Sequence, residues 1–410
     1  MSDPRISRVV PPRIPRRRAL VTLLSMAGVV VLPSCGGGGG GGGGGVVGGG
    51  GVDTGGTGSF MAGRISGFGS IIVNGVRFDD RAARVVDEDD DGRAMGPGDL
   101  RLGMVVRVLA GATTAGTGGG LPTATATAIT IESEIKGPVE SKTAPDTLVV
   151  FGQTVKVDAA TVFDGTTFAA IAVGNILEVS GFLGANGVVT ATRIERENAA
   201  NEFKVRGFIA DLDPVAQTFR IGTAIFNFAS AARLPATPLA NGQFVRVRTQ
   251  TVRNAAGQWV VNRIDLRQAV EQDRDEAEVE GILVQNGALL QVNGITIDVS
   301  RLPAGTVLPI GQRVEIEGEL VNGVLVAREI ELEDEDEEAE VDVEGAVSAL
   351  NLAAQTFVVR GLTFHYSAAT RLDDGTIEAN LANGVVVRVK GRVPAGGTGP
   401  IEATEIDFTP

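Results

Sequence analysis

The chain has few of the residues on which most catalytic and binding sites depend. Its 410 residues include one Cys, one His, one Trp and one Tyr. One Cys cannot form a disulfide within the chain, and one His with one Cys cannot build a Cys/His zinc site. Few aromatic rings other than Phe are left for stacking on sugars or bases. These absences predict that the protein is not an enzyme.

The chain is also short of positive charge. It has 36 Lys and Arg against 50 Asp and Glu, which gives a formal net charge of −14. Such a chain is repelled by phosphate backbones, so nucleic acid is not expected as a partner. Hydrophobic residues make up 43 % of the sequence, which is enough to build buried cores.

The N-terminus has the pattern of an export signal. Six arginines precede a 14-residue apolar run, Ala19–Leu32, which is shorter than the roughly 17–25 residues that cross a bilayer. The run ends in Leu32-Pro33-Ser34-Cys35, which resembles the lipobox of bacterial lipoproteins, although Pro33 departs from its usual pattern. The resemblance implies that the signal, residues 1–34, is removed and that Cys35 is acylated. An ordinary signal peptide with a free Cys is the alternative, and the export route, general or twin-arginine, stays open.

A glycine-rich segment follows the Cys. Ten consecutive glycines, Gly36–Gly45, are followed by two valines and four more glycines. Because Gly loses the most backbone entropy on ordering, residues 35–60 are predicted to be a disordered tether. Gly36, rather than Asp, follows the Cys, and in Gram-negative lipoproteins this implies transfer to the outer membrane. The expected location is therefore the cell envelope, with the lipid as the attachment to the membrane.

The rest of the chain is a repeat array. A glycine in an opening strand recurs at spacings of 74, 70, 74 and 64 residues, from Gly63 to Gly345. A second glycine before an alternating strand and a closing strand with Ile or Leu recur in the same order. The sequence predicts five β repeats, over residues 61–133, 134–200, 201–270, 277–333 and 341–410.

The fourth repeat indicates the fold most clearly. Asn286-Gly287 is typical of a hairpin turn, and apolar residues alternate with polar ones from Ile295 to Val299 and again from Val314 to Glu317. A three-stranded meander, a longer connection and a hairpin give the strand order of a five-stranded Greek-key barrel of the OB type. A loop is expected in place of the helix that often follows strand three. A sandwich-like arrangement and paired repeats that share a sheet are the alternatives.

Two acidic segments separate the last three repeats. Residues Glu271–Glu280 and Glu331–Glu344 are dense in like charge, which extends and solvates a chain. They are predicted to be solvated linkers or short charged helices. The repeats are then expected to behave as beads on a string with limited flexibility.

The landmarks resemble those of a known family. Gly63-Arg64-Ile65 and the segment from Gly69 to Gly75 (GSIIVNG) are similar to the bacterial domain-of-unknown-function 5666 family. The resemblance covers about residues 62–408 and implies exported lipoproteins that carry tandem copies. It implies no activity and no catalytic residues.

One local motif suggests a metal. Asp87, Asp89, Asp91 and Gly92 fit the first half of a calcium-binding loop, in which alternate carboxylates converge on the ion. Position twelve is Gly98 instead of the expected Glu, so a solvated acidic loop is the alternative. Apart from Ca²⁺ at this motif, no cofactor is expected.

The remaining candidates favour structural roles. His365 lies in a predicted strand, where it is expected on the face opposite the core, and no nucleophile motif accompanies it. Most aromatic residues are Phe in strand-like runs, as expected of barrel cores. The sequence therefore predicts a non-catalytic array of barrels that has a structural role or binds an envelope protein. A module that binds Ca²⁺ or a small ligand is the alternative, and a hydrolase that uses carboxylates alone ranks last.

Overall fold

The computed structural model describes residues 58–88, 93–116, 120–184, 187–266, 273–333, 340–372, 380–397 and 399–408. The predicted signal, Cys35 and the glycine-rich tether up to residue 57 lie outside these residues. The predicted end of the tether was wrong, because Ser59 and Phe60 belong to the first strand and are fully buried. The described chain is all-β: its elements are 31 strands and short 3-10 turns, and one residue, Asn380, is α-helical. None of its helical turns is long and apolar enough to cross a membrane.

The strands fall into five successive groups, and each group forms one barrel. Barrel 1 contains β1 (Ser59–Phe68), β2 (Ile71–Val73), β3 (Val76–Asp79), β4 (Arg84–Asp87), β5 (Arg93–Met95), β6 (Val105–Ala110) and β7 (Thr123–Glu132). Barrel 2 contains β8 (Ile135–Thr143), β9 (Thr147–Val150), β10 (Gln153–Lys156), β11 (Val162–Asp164), β12 (Ile176–Leu183) and β13 (Val188–Glu197).

The other three barrels repeat this arrangement. Barrel 3 contains β14 (Phe203–Phe208), β15 (Ala210–Asp213), β16 (Thr218–Ile221), β17 (Ala224–Asn227), β18 (Phe244–Arg253) and β19 (Trp259–Leu266). Barrel 4 contains β20 (Arg274–Ile282), β21 (Val284–Asn286), β22 (Leu289–Val292), β23 (Ile295–Asp298), β24 (Arg313–Val321) and β25 (Val324–Leu332). Barrel 5 contains β26 (Glu340–Asn351), β27 (Thr356–Val359), β28 (Leu362–His365), β29 (Arg371–Leu372), β30 (Val386–Arg392) and β31 (Ile401–Phe408).

Every barrel closes in the same strand order. In barrel 4 the first strand, β20 with its continuation β21, pairs with β22, which pairs with β23. Strand β23 then runs parallel to β25, and β25 pairs with β24, which returns to β20. The order 1-2-3-5-4-1, with a parallel contact between strands three and five, recurs in the other four barrels. The prediction of five-stranded OB-like barrels is confirmed.

The alternation of apolar residues fills the barrels as predicted. Five phenylalanines from strand-like runs are at most 1 % exposed, namely Phe78, Phe151, Phe219, Phe226 and Phe357. The recurring glycine of the first strand lets a core side chain cross close to the backbone. A Cβ on Gly207 would lie 2.3 Å from Cγ2 of Ile221 on β16, so a side chain there would displace the core.

The connection after strand three is a loop in barrel 4, as predicted for the fourth repeat, since no helix or strand lies between β23 and β24. Barrels 1, 2 and 5 differ and form a short strand there: β4, β11 and β29. Each of these strands runs parallel to the fifth strand of its own barrel. In barrel 1 the fifth strand has 10 residues and the third only 4, so the third strand alone leaves backbone groups unpaired. The short strand pairs those groups.

The barrels share sheets, so the expectation of beads on a string was wrong. Strand β1 of barrel 1 runs parallel to β20 of barrel 4 from Ser59 to Ala62, and to β26 of barrel 5 at Gly67 and Phe68. In the same way β8 of barrel 2 pairs with β14 of barrel 3. Sharing of sheets, which the sequence left open, joins neighbouring barrels through backbone hydrogen bonds.

The two acidic linkers were also predicted wrongly. Strand β20 begins at Arg274 and β26 at Glu340, so most of both segments that the structure describes is strand. Residues 334–339 lie outside the described part. In β20, Glu276, Glu278 and Glu280 alternate with Ala277 and Val279, and the two apolar residues are buried. Alternation with period two therefore dominates over the like charge.

A small apolar cluster joins several barrels. It contains Val105 from barrel 1, Phe182 from barrel 2 and Ile282 and Val284 from barrel 4, and Phe208 from barrel 3 packs against it. Close by, the Thr192 hydroxyl of barrel 2 donates a 2.6 Å hydrogen bond to the carbonyl of Gly103 in barrel 1. These contacts are buried, and they hold the barrels in one body.

Candidate functional site

The outer face of barrel 4 has an unusual charge pattern: six glutamates face one another across three neighbouring strands. Residues directly opposite in antiparallel strands have their side chains on the same face. On β20, β24 and β25, glutamate stands opposite glutamate at four register positions. We call this set the acidic ladder, and it consists of Glu278, Glu280, Glu315, Glu317, Glu329 and Glu331.

The pairing of β1 with β20 places the acidic ladder at the junction of barrels 1 and 4. Met61 on β1 of barrel 1 stands beside Glu278, and Val314 and Ile316 on β24 point inward to the core of barrel 4. Because apolar residues occupy the inward positions, the glutamates between them must face outward. Barrel 1 then covers the β20 end of the ladder and buries Glu278 and Glu280.

Glu280 is the compensated member of the ladder. Its carboxylate forms an ion pair with Arg313 and lies 3.6 Å from Nε of Arg64 in barrel 1. The backbone N–H of Arg64 also donates to Glu280 Oε2 at 2.9 Å. Burial opposes ionisation, but the two arginines outweigh it and hold the pKa of Glu280 below its usual value. This carboxylate is therefore charged and links barrels 1 and 4.

Glu278, Glu315 and Glu317 lack such compensation, and we call them the carboxylate cluster. One carboxylate oxygen from each lies within 4.8 Å of the others. Glu278 is 8 % exposed, and its Oε1 is buried without a hydrogen-bond partner. Among the ion pairs of the described residues, none joins a Lys or Arg to these three carboxylates.

The crowding of acids shifts their titration upward. Burial, with the nearby charges of Glu317 and Glu280, raises the pKa of Glu278 to about 7. Burial and the adjacent Glu278 raise the pKa of Glu315 to about 10. Glu333, the residue directly after β25, is shifted in the same direction. Burial and the charges of Glu280 and Glu315 raise its pKa to about 8. Facing carboxylates of this kind need protons or cations to neutralise them.

Barrel 3 has the opposite charge at the equivalent positions. Counting from the first-strand glycine, the acids of β20 and β24 correspond to bases on β14 and β18. We call these four residues the basic ladder: Lys204, Arg206, Arg246 and Arg248.

Each base of the basic ladder has an acidic partner. Neighbouring barrels supply Glu178 at 3.1 Å from Lys204, and Glu88 and Glu132 at 3.0 and 3.1 Å from Arg206. Barrel 3 and its leading segment supply the rest, since Arg246 pairs with Asp265 at 3.3 Å and Arg248 with Glu202 at 3.1 Å. The basic ladder is therefore neutralised by protein groups, unlike the carboxylate cluster.

The predicted calcium loop is only partly described. Asp87 is the last residue of β4, and its carboxylate lies 3.9 Å from a guanidinium nitrogen of Arg93. Asp89, Asp91 and Gly92 lie outside the described residues, as does Cys35. The neighbouring Glu88 turns inward to Arg107 at 2.9 Å and to Arg206. The calcium loop stays a prediction.

His365 takes up a structural position. It is the last residue of β28, half-buried, and its Nδ1 lies 2.8 Å from a carboxylate oxygen of Glu402. The carboxylate cluster was not predicted from the sequence, where Glu315 and Glu317 were noted only as polar residues that alternate with Val314 and Ile316 in a strand. The available signal was the alternation of Glu with apolar residues in three strands that the barrel order brings side by side.

The fold defines the class of this protein as a tandem array of five-stranded barrels with OB strand order. Three segments, residues 136–195, 276–331 and 344–407, match the family described as a domain of unknown function, DUF5666. These segments lie in barrels 2, 4 and 5, and the matches are consistent with tandem repeats of that family.

Solved and curated proteins add little to this assignment. The solved structure drosophila Unr CSD456 is similar over 50 % of this chain and 98 % of its own, at 14 % sequence identity and a TM-score of 0.14. No curated protein matches the sequence.

Proposed function

We propose that this protein is an exported, lipid-anchored envelope protein that presents five barrels to a protein partner as one rigid body and has no catalytic role. The observation that carries the proposal is the sharing of strands between barrels, above all the pairing of β1 with both β20 and β26.

Shared strands support rigidity because a hinge between barrels would break sheet hydrogen bonds and buried contacts. Phe60 of β1 is fully buried in the core of barrel 4, while Met61 packs in the core of barrel 1. One strand thus contributes to two cores. Arg77 of barrel 1 also pairs with Glu344 of barrel 5 at 3.0 Å. Domains joined in this way do not move independently, unlike domains that meet through small polar interfaces.

A rigid array suits the binding of a partner across several barrels. Association costs less when the binding surface is already ordered, because fewer side chains and loops lose freedom. The repeats also give one chain several barrel surfaces of similar shape and different charge. We infer that such a surface, rather than a cleft with chemical groups, is what the fold offers.

The anchor rests on the sequence of the N-terminus. The six arginines, the short apolar run and the Leu32-to-Cys35 motif support lipid attachment at Cys35. The glycine-rich composition of residues 36–57 supports a tether that would hold the barrels at a distance from the bilayer, since a Gly-rich coil of this length spans roughly 23–28 Å.

Two experiments in intact cells test the proposal. Fractionation should find the wild-type protein in the membrane and the Cys35→Ala variant released by washing. Cross-linkers placed on exposed residues of barrels 1 and 5, such as Arg81 and Leu352, should both capture the same envelope protein. A Cys35→Ala variant that stays in the membrane contradicts the lipid anchor. Failure of both barrels to capture any common protein contradicts the partner-binding role.

A further inference from the structure

We propose that Glu278, Glu315 and Glu317 together bind one hard divalent cation, Ca²⁺, at the junction of barrels 1 and 4. This site is separate from the predicted loop at Asp87, and it goes beyond the proposed role in partner binding.

The geometry fits one ion without movement of the strands. The three carboxylate oxygens lie within 4.8 Å of one another. Calcium takes oxygen ligands at about 2.3–2.6 Å, so two ligands on opposite sides of the ion are up to about 5 Å apart. Glu317 is exposed, which leaves the outer side of the site open for water ligands. Calcium accepts such irregular coordination, whereas Mg²⁺ demands a near-ideal octahedron at about 2.0–2.1 Å.

The surroundings of the carboxylate cluster carry mainly negative charge, which a bound cation would offset. Glu278 stands opposite Glu317, and like charges directly opposite each other destabilise a sheet. The charged groups facing the cluster are mainly acidic: Glu276 and Glu280 on β20, Glu329, Glu331 and Glu333 on or just beyond β25. The nearby bases are Arg64 and Arg313, which pair with Glu280, and Arg328, which lies 3.9 Å from Glu319 and whose charge partly offsets the raised pKa of Glu317.

An unsatisfied buried oxygen supplies the second observation. Glu278 is more than nine-tenths buried, and its Oε1 has no hydrogen-bond partner. Leaving a buried carboxylate oxygen unpaired carries a high energetic cost, which a coordinated cation removes. The same buried carboxylate supplies one of the three oxygens that converge in the cluster.

The equivalent positions in other barrels support this assignment. Barrel 5 places Asp342 and Glu344 opposite Lys390 and Arg388, so acid meets base in the register where barrel 4 has acid against acid. In barrel 3 the four bases have acidic partners. Only barrel 4, among these three, has carboxylates at this place that no protein cation neutralises within the described residues.

Isothermal titration of the purified protein with CaCl₂ tests the proposal. The wild type should show one saturable site, with an expected dissociation constant of about 10⁻⁴–10⁻³ M, as in extracellular calcium modules. The variants Glu278→Gln and Glu317→Gln should each weaken binding at least tenfold. Asp87→Asn and Glu319→Gln are matched controls, since Asp87 belongs to the predicted loop and Glu319 is on the same strand but outside the cluster. Both controls should bind as the wild type does.

Thermal unfolding separates binding from folding. Ca²⁺ should raise the Tm of the wild type saturably, and Mg²⁺ at the same concentration should raise it less. Glu278→Gln should have an equal or higher Tm without Ca²⁺, because it removes one of the facing acids, and should lose the rise with Ca²⁺. The proposal is overturned if no saturable heat appears at millimolar Ca²⁺, if Glu278→Gln still binds, or if only Asp87→Asn abolishes binding.

Discussion

The outer faces of barrels 3 and 4 have the same strand register and opposite charge. Where barrel 4 has Glu278, Glu280, Glu315 and Glu317, barrel 3 has a Lys and three Arg. All four bases of the basic ladder have acidic partners: barrels 1 and 2 supply those of Arg206 and Lys204, and barrel 3 with its leading segment supplies those of Arg246 and Arg248. Within the part of the chain that the structure describes, Glu280 is the one member of the acidic ladder in an ion pair with a base.

The difference indicates that one barrel design can serve two purposes. A charged face that is fully paired across a junction fixes the position of one barrel on another, because a buried charge is costly unless its partner stays in place. A charged face left partly unpaired cannot have that role alone. It is free to take up protons or a cation, and we assign it to ligand binding for that reason.

The largest expected effect is at the paired end of the acidic ladder. Glu280→Gln removes the carboxylate that lies between Arg64 and Arg313, so each of these buried guanidinium groups loses this charged partner. Breaking a buried ion pair from one side costs about 3–5 kcal/mol. We expect urea unfolding to show a loss of this size.

Glu319→Gln is the control for this substitution. Glu319 lies on the neighbouring strand β24, and its partner Arg301 is 2.8 Å away and largely exposed. Exposed pairs contribute about 0–1 kcal/mol, so this variant should unfold close to the wild type. Equal losses in the two variants would mean that Glu280 does not hold barrels 1 and 4 together.

The next effect concerns the junction of barrels 2 and 3 in acid. Glu178 lies 2.9 Å from Lys136 and 3.1 Å from Lys204. Burial disfavours its charge, but the two lysines prevail and lower the pKa of Glu178 to about 2. The pKa in the unfolded chain is near 4.5, so this contribution is fully present above about pH 5 and is lost as the pH falls towards 2. Its size is at most about 3 kcal/mol.

Comparison with Glu178→Gln isolates this contribution. The variant is less stable at pH 7, but it lacks the titrating group, so the two unfolding free energies should converge as the pH is lowered from 5 to 3. Chemical denaturation at several pH values, in the presence of a chelator, measures the difference. A constant difference across this range would show that the paired lysines do not shift Glu178.

The barrels could be predicted from the sequence, but the contacts that join them could not. Within a barrel, local signals repeat: the first-strand glycine, the Asn-Gly turns and the apolar alternation that buries Phe226 and Phe357. Contacts between barrels have no local signal. The pairing of β1 with β20 joins residues more than 200 positions apart in the sequence. The two strands are brought together by the folded shapes of both barrels, which no local pattern encodes.

The acidic ladder was missed for a related reason. In the segment from Arg274 to Glu280, charge density favours a solvated linker, whereas the alternation with Ala277 and Val279 favours a strand. The two signals conflict, and only the closed barrel, which places β20, β24 and β25 side by side, shows that the strand prevails. The convergence of Glu278 with Glu317 is then a consequence of strand order, which no local motif predicts.

The smallest expected effect is at the exposed end of the acidic ladder, and it tests the repulsion directly. Glu329 on β25 stands opposite Glu317. Because opposite charges at such positions stabilise a pair by about 0.2–1 kcal/mol and like charges destabilise it, Glu329→Lys should raise the unfolding free energy by about that amount in a calcium-free buffer. The same substitution brings a positive charge towards the carboxylate cluster, so it should also weaken the saturable binding of Ca²⁺.

Glu402→Lys, on barrel 5, provides the control for the added charge and should leave Ca²⁺ binding unchanged. A Glu329→Lys variant that is less stable than the wild type without Ca²⁺ would show that the facing glutamates do not repel each other. The two ladders would then differ in the sign of their charge but not in its effect on stability.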